Sequence, residues 1–359
     1  MSEDLEQAPV ERQRGSTVAR GVLYAVFVLS GAAGLIYESI WSRYLALFVG
    51  SSAYAQVLVL TIFLGGMAVG SILVGRRSER IALPLMWYAA AELLIGVLGF
   101  AFHPVFVTTT RIAYDSVFPA LTGSPLLLLG VKWGFAALLI LPQSILLGTT
   151  FPLMSAGVLR ERRAEAGRVL SWLYAANSFG AAAGVLVAGF YLVQRVGLPG
   201  TLITAAILNL LVALVPAVLV LRRLRYAPYE AADPVAPPHR LVDRADDPWP
   251  ALRPLLLAVT VGTAMTSLVY EIGWLRMLAL VLGSTTHSFE LMLSAFILGL
   301  ALGSLWMRER ADRFRDPVRA LGFVQCAMGA LAVATLPLYI TSFTWASKLL
   351  LAFTKTAEG

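Results

Sequence analysis

Residues 31–51 read GAAGLIYESIWSRYLALFVGS, and residues 264–284 read AMTSLVYEIGWLRMLALVLGS. The second stretch repeats the first at a distance of 233 positions. Over residues 35–71, about 17 of 37 positions are identical to those found 233 positions later. Agreement of this extent indicates two copies of one structural unit. The recurring polar and aromatic pairs are Tyr37/Tyr270, Glu38/Glu271, Trp41/Trp274 and Arg43/Arg276.

The apolar runs around these motifs are long enough to cross a membrane. Hydrophobic residues make up 58% of the chain and charged residues only 14%, whereas soluble domains carry about 25% charged residues. A spanning helix needs about 20 apolar residues, which excludes ordinary soluble domains. Predicted spans cover residues 18–40, 53–74, 83–102, 126–141, 169–193, 198–221, 255–275, 288–306 and 318–340.

Three details of this prediction concern prolines and the chain's ends. The tail 1–17 is polar and is expected to be irregular. Pro142 and Pro152 predict a kinked or broken helix between residues 126 and 159. The final apolar stretch, residues 343–353, is too short to span, and Cys326 is expected to be a small buried side chain.

Basic residues fix the predicted orientation. Arginines cluster before the first span, after the second, before the fifth, after the sixth and between the eighth and ninth, while the alternate loops carry single arginines. By the positive-inside rule, the N-terminus and these loops lie in the cytoplasm, as expected for a bacterial inner-membrane protein. This pattern also explains the net charge of +7 without nucleic acid as a partner.

The repeat predicts the domain layout. A tail (1–17) precedes a first transmembrane repeat of about six spans (18–222), a proline-rich cytoplasmic linker (223–253) and a second repeat (254–359). Because the first copy has an even number of spans, both copies start on the same side, as in major-facilitator-like transporters. Gly359 corresponds to Leu126, so the second copy is expected to be incomplete and the reading frame to continue; a homo-oligomer is the alternative that would bury its polar faces.

The repeated motif places charges in or near the bilayer. Glu38 and Arg43, with Glu271 and Arg276, are candidates for substrate binding or gating, because intramembrane ions are expensive and mark function. Pairing of each glutamate with the arginine of the other copy is one arrangement. The structural alternative is a helix-end pair anchored by interfacial tryptophan, with the arginine side chain reaching outward.

Two further candidates lie in single spans. Glu92 falls in the middle of the third span and Lys132 in the fourth, and the second copy has Gln325 where the first has Glu92. The plainer interpretation of Glu92, and of Glu290 near the start of the eighth span, is a satisfied interhelical contact. The glycines around Gly66 and Gly70, their equivalents Gly299 and Gly303, and those around Gly180 predict close helix packing. No catalytic constellation, cofactor loop or metal-ligand spacing is expected.

Three stretches together resemble one protein family. They are GAAGLIYE at 31–38 with its following tryptophan and arginine, GTTFPL at 148–153 and LYAANSFGAAAG at 173–184. They are similar to the membrane portion of bacterial spermidine synthase-like membrane proteins, the fused major-facilitator/spermidine synthase type. In that family an aminopropyltransferase-like domain commonly follows the helices, and here it would lie beyond residue 359.

The resemblance implies a link to polyamine metabolism. We expect a membrane module that works as a transporter-like bundle or membrane scaffold, with the lipid bilayer and a small cation such as a polyamine as partners. The alternative function is a stand-alone transporter of a small organic cation. An enzyme with its active site inside the bundle is a third class, which the missing catalytic residues disfavour.

Overall fold

The chain is helical throughout the part that the computed structural model describes: residues 4–78, 80–160, 166–226, 249–283, 285–308, 310, 313–314 and 316–358. No strand occurs among these residues. Eight of the helical segments are long and apolar enough to cross a membrane. In lipid, helices satisfy their own backbone polar groups, which is why such runs become helices. The prediction of an all-α, polytopic helical protein is confirmed.

The helices follow the predicted spans in order. They are α1 (Asp4–Val49), α2 (Ser52–Ser78), α3 (Pro84–Ile112), the short α4 (Phe118–Ala120), α5 (Pro125–Leu159), α6 (Ala166–Val187), α7 (Val193–Tyr226), α8 (Trp249–Leu282), α9 (Thr285–Met307) and α10 (Pro317–Glu358). Single π-helical turns join α3 to α4 and α6 to α7. Most of the predicted linker, residues 227–248, lies outside the described residues.

Both ends of the chain are more helical than predicted. Helix α1 begins at Asp4 rather than near residue 18, because the polar segment is rich in good helix formers such as Glu6, Gln7 and Glu11. At the other end, the predicted span 318–340 and the short stretch 343–353 form one helix, α10. Nothing between them, where Thr341 and Ser342 lie, breaks a helix.

In the middle of the chain, the helices are interrupted at a glycine rather than at the prolines. Helix α5 continues through both Pro142 and Pro152, so the helix is not broken there, and a kink at these prolines stays a prediction. The real interruption is Gly197, whose φ of 68° and ψ of −175° are not helical. It lies between the predicted fifth and sixth spans and divides an apolar segment of 57 residues, which is far longer than the ~20 residues of one crossing. A positive φ is a conformation that glycine adopts at little cost.

The contacts divide the described chain into two units. The first contains α1 to α7 together with residues 297–308, which include the second half of α9, and the second contains α8, the first part of α9 and α10. In the first unit α2 packs along α5, α1 along α6, and α3 along both α5 and α7. In the second unit α8 contacts α10.

Glycines allow two of these helix pairs to approach closely. A Cβ atom on Gly70 of α2 would collide with the carbonyl oxygen of Ile145 on α5, and one on Gly148 of α5 would collide with the backbone of Met67. Between α1 and α6, Gly180 and Gly184 lie against the backbone of α1 in the same way. The predicted packing role is therefore confirmed for these glycines, because small residues let backbones come together.

The equivalent glycines of the second repeat have no such neighbour. Among the described residues, nothing lies within 4 Å of a Cβ built on Gly299 or Gly303. In the first repeat the corresponding glycines, Gly66 and Gly70, are covered by α5. The two copies therefore share a sequence motif but differ in what covers it.

Large apolar side chains point away from the protein on most helices. Ile72 is 75% exposed and Leu126 is 82% exposed, which would be costly in water but suits a surface in contact with lipid. Cys326 is also exposed, so the prediction that it is buried is wrong. The described chain is that of a membrane protein whose outer surface is apolar.

Candidate functional site: a buried carboxylate between three helices

Glu92 is fully buried in the middle of α3. Two neighbouring helices donate hydrogen bonds to its carboxylate: the Ser30 hydroxyl of α1 to Oε1 at 2.5 Å, and the Asn209 amide of α7 to Oε2 at 2.5 Å. The Tyr88 hydroxyl, one turn earlier on α3, lies beside the same carboxyl group. The carboxylate thus ties three helices together, as the plainer interpretation of Glu92 predicted.

The polar centre extends along the interface of α1 and α3. Tyr37 of α1 is fully buried, and its hydroxyl occupies the space left by Gly99 of α3. Farther along, the Tyr44 hydroxyl lies 2.7 Å from Nδ1 of His103. From α5, Gln143 donates a hydrogen bond to the carbonyl oxygen of Ile95 at 3.1 Å. Polar groups therefore recur at this interface within an otherwise apolar core.

The aromatic residues of the first copy of the repeated motif lie in a cluster of stacked rings. The Tyr37 and Trp41 rings stack with centroids 5.6 Å apart, and the Trp41 ring also contacts Phe63 and Phe102. Trp41 is fully buried, so its ring contacts protein; the alternative of an interfacial tryptophan anchor stays a prediction. Aromatic pairs of this kind add to the stability gained by burial.

The second repeat forms equivalent contacts with different chemistry. The rings of Tyr270 and Trp274 stack at 5.4 Å, like their counterparts in the first copy. Gln325, at the position of Glu92, donates a hydrogen bond to Thr263 at 2.9 Å, and Thr263 stands at the position of Ser30. The same helix–helix contact is therefore made once with a carboxylate and once with an amide.

The other predicted site residues lie apart from Glu92. Glu38 and Glu271 are buried, whereas Arg43 is half-buried and Arg276 is exposed. The pairing of each glutamate with the arginine of the other copy stays a prediction. Lys132 is half-buried on α5, with its Nζ 5.5 Å from the centre of the Phe118 ring.

Glu290, the other carboxylate expected in a satisfied contact, is fully buried. Its Oε2 atom lies 3.3 Å from Nδ1 of His287, one turn earlier on the same helix. Glu290 therefore differs from Glu92, because an ionisable histidine nitrogen lies beside the Glu290 carboxylate.

Sequence reasoning found Glu92 but missed its partners. Ser30 and Asn209 are ordinary polar residues in apolar spans, and nothing local distinguishes them. One signal was available for Ser30, because the repeat aligns it with Thr263 just as it aligns Glu92 with Gln325. No such signal exists for Asn209, because the repeat aligns no residue of this sequence with it.

The chain is similar to a polyamine aminopropyltransferase. The relative comes from Corynebacterium efficiens and is 27% identical over 223 residues, which cover 61% of this chain and 38% of the relative. The chain therefore spans well under half of the relative's length. No family model and no solved structure matches. Because apolar helices fill most of this chain, a match of 223 residues necessarily includes several of them.

Proposed function

We propose that this chain is the membrane module of a spermidine synthase-like membrane protein, of the fused major-facilitator type, and that it serves polyamine metabolism as a transporter-like bundle. The observation that carries the proposal is the similarity to a polyamine aminopropyltransferase in a stretch that includes membrane-type helices. A scaffold that holds an aminopropyltransferase-like domain at the membrane is the simpler form of the same function.

Buried carboxylates favour a cationic substrate. Glu38, Glu92 and Glu271 are each at most 7% exposed, and acidic groups inside a membrane protein commonly line a substrate or ion pathway. The same observation favours the second candidate function, a stand-alone transporter of a small organic cation. Polyamines are cationic amines, so a substrate test separates the two candidates.

Reconstituted vesicles provide that test. We expect saturable uptake of labelled spermidine or putrescine, competed by unlabelled polyamine but not by choline. Glu38→Gln and Glu271→Gln should each lower uptake about tenfold, which corresponds to the loss of about 1.4 kcal/mol of favourable interaction. Asp115→Asn is the matched control, because it removes one carboxylate from an exposed position and leaves the three buried carboxylates unchanged.

The outcomes distinguish the alternatives. Uptake of choline in preference to polyamine would favour the general cation transporter. Polyamine binding without uptake would favour the scaffold. A folded protein that neither binds nor transports polyamine would contradict the link to polyamine metabolism.

The orientation is a separate part of the proposal. We place the N-terminus and the basic loops in the bacterial cytoplasm. Arg77 is exposed at the end of α2, while the other two positions chosen as cytoplasmic from the sequence, Arg162 and Asp243, lie outside the described residues. Gly123, in the turn before α5, belongs to the opposite side.

Labelling in intact cells tests this orientation. Cys326 is the chain's one cysteine, so a Cys326→Ser background has no thiol. In that background Gly123→Cys should react with a membrane-impermeant maleimide from outside, and Arg77→Cys should react only after the cells are opened. The reverse pattern would overturn the orientation.

A further inference from the structure

Among the described residues, the groups that contact Glu92 are all uncharged. Its carboxyl group contacts the hydroxyls of Ser30 and Tyr88 and the amide of Asn209, all of them neutral. Within the described part of the chain it forms no salt bridge. An uncompensated carboxylate in the interior of a membrane protein is costly, because its charge has neither water nor a partner.

The described elements packed against α3 place neutral groups near Glu92. Tyr37 of α1 and Tyr88 of α3 itself interact electrostatically with its carboxyl group. Helix α7 contributes the neutral Asn209, and α5 contributes the neutral Gln143. His103 and Lys132 are engaged elsewhere, with Tyr44 and with the Phe118 ring.

An unused hydrogen-bond acceptor lies beside the same carboxyl group. Among the described residues, Oδ1 of Asn209 is buried and makes no hydrogen bond, while the amide nitrogen of the same side chain donates to Glu92. An ionised carboxylate can only accept hydrogen bonds, whereas a protonated one also donates. An added proton would therefore remove the charge and provide a donor for an acceptor that lacks one.

We infer that Glu92 is a proton-binding site: its carboxylate takes one proton from the aqueous phase, holds it against the unused Oδ1 atom of Asn209 and releases it again. One O–H bond forms on the carboxyl group while one O–H bond of a hydronium ion breaks, and one water molecule is released; the reverse step returns the proton to water. Farther along the α1–α3 interface lie Tyr37 and then the Tyr44–His103 pair, and the His103 side chain is half-exposed.

The second repeat lacks this site. Its equivalent residue is Gln325, and an amide side chain does not titrate. Since Gln325 forms the equivalent contact to Thr263, an amide is compatible with the packing between these two helices. Glu92→Gln therefore removes the proton site while giving the first copy the chemistry that the second already has. This inference concerns a proton and does not depend on the polyamine link.

Infrared difference spectroscopy on the purified full chain tests the proposal. Spectra recorded at mildly acidic and mildly alkaline pH should differ by the carbonyl stretch of a protonated carboxyl group, and this band should shift in D2O. It should be absent from Glu92→Gln and should persist in Glu290→Gln, because Glu290 is a buried carboxylate with His287 beside it. Glu92→Asp, which keeps a carboxyl group, should move the band rather than remove it.

Three results would overturn the inference. The first is a Glu92→Gln spectrum identical to that of the unmodified chain. The second is a carbonyl band that does not change with pH while the protein remains folded, which would identify a permanently protonated structural acid. If Glu92→Gln does not fold, the third result decides: a carbonyl band at the same position in Glu92→Asp as in the unmodified chain.

Discussion

Gly70→Ala should lower the thermal stability of the protein, whereas Gly303→Ala, the same change at the equivalent position of the second repeat, should leave it nearly unchanged. A methyl group on Gly70 would overlap the carbonyl oxygen of Ile145 and lie 3.2 Å from the carbonyl carbon of Gly148. Both obstacles are backbone atoms of α5, so they cannot rotate away as a side chain would.

The size of this effect follows from overpacking. Forcing extra atoms into a well-packed contact typically costs about 1–3 kcal/mol. For a unit of roughly 200 residues this corresponds to a loss of about 2–12 °C in the melting temperature. A methyl group on Gly303 meets no described atom within 4 Å, and alanine is the better helix former.

Thermal unfolding of the purified variants in one detergent measures the difference. Gly148→Ala provides a second variant, because its methyl group would meet the backbone of Met67 on the other side of the same contact. It should lose stability as Gly70→Ala does. Equal stability of the Gly70→Ala and Gly303→Ala variants would contradict the close contact of α2 with α5.

Glu92→Ala should be strongly destabilising, and Glu92→Gln should be close to the unmodified chain in stability. Alanine leaves the Ser30 hydroxyl and the Asn209 amide without their shared acceptor, and each unsatisfied buried donor costs about 1–3 kcal/mol. The side chain is fully buried, so its removal also leaves a cavity, which adds to the cost.

Glutamine retains the size of the side chain and one acceptor oxygen. Its amide group would face Asn209, but Asn209 can turn so that Oδ1, which makes no hydrogen bond among the described residues, accepts from the new NH2 group. The Gln325–Thr263 contact shows the same residue type in the equivalent place.

The two variants are compared by heating them and measuring the fraction of protein that remains monodisperse at each temperature. Asn209→Ala is the control, because it removes one donor and leaves the carboxylate in place. It should lose less thermal stability than Glu92→Ala, because the Ser30 hydroxyl still has its acceptor. If Glu92→Gln is as unstable as Glu92→Ala, the charge itself holds the three helices together, and the hydrogen-bond account of this site is wrong.

The amino-acid sequence by itself determined the class of the protein and the order of its spans. Apolar runs of about 20 residues specify helices wherever they occur, because the backbone must satisfy itself in lipid. This reasoning is local, so it placed α2 and α9 well. It was less accurate about where helices end. Helix α10 runs past the predicted end of its span, and α5 is not broken at Pro142 or Pro152, because neighbouring helices can compensate for a missing backbone hydrogen bond.

Tertiary structure alone decided what each polar residue contacts. The sequence marked Glu92 because a carboxylate in an apolar span is unusual, but Ser30 and Asn209 became its partners only because α1 and α7 pack against α3. It also predicted packing for Gly70 and Gly303 alike, since the motif is the same in both copies. Among the described residues only Gly70 is covered, because a close contact requires a second helix at that place. No property of a glycine's own segment specifies which helix that is.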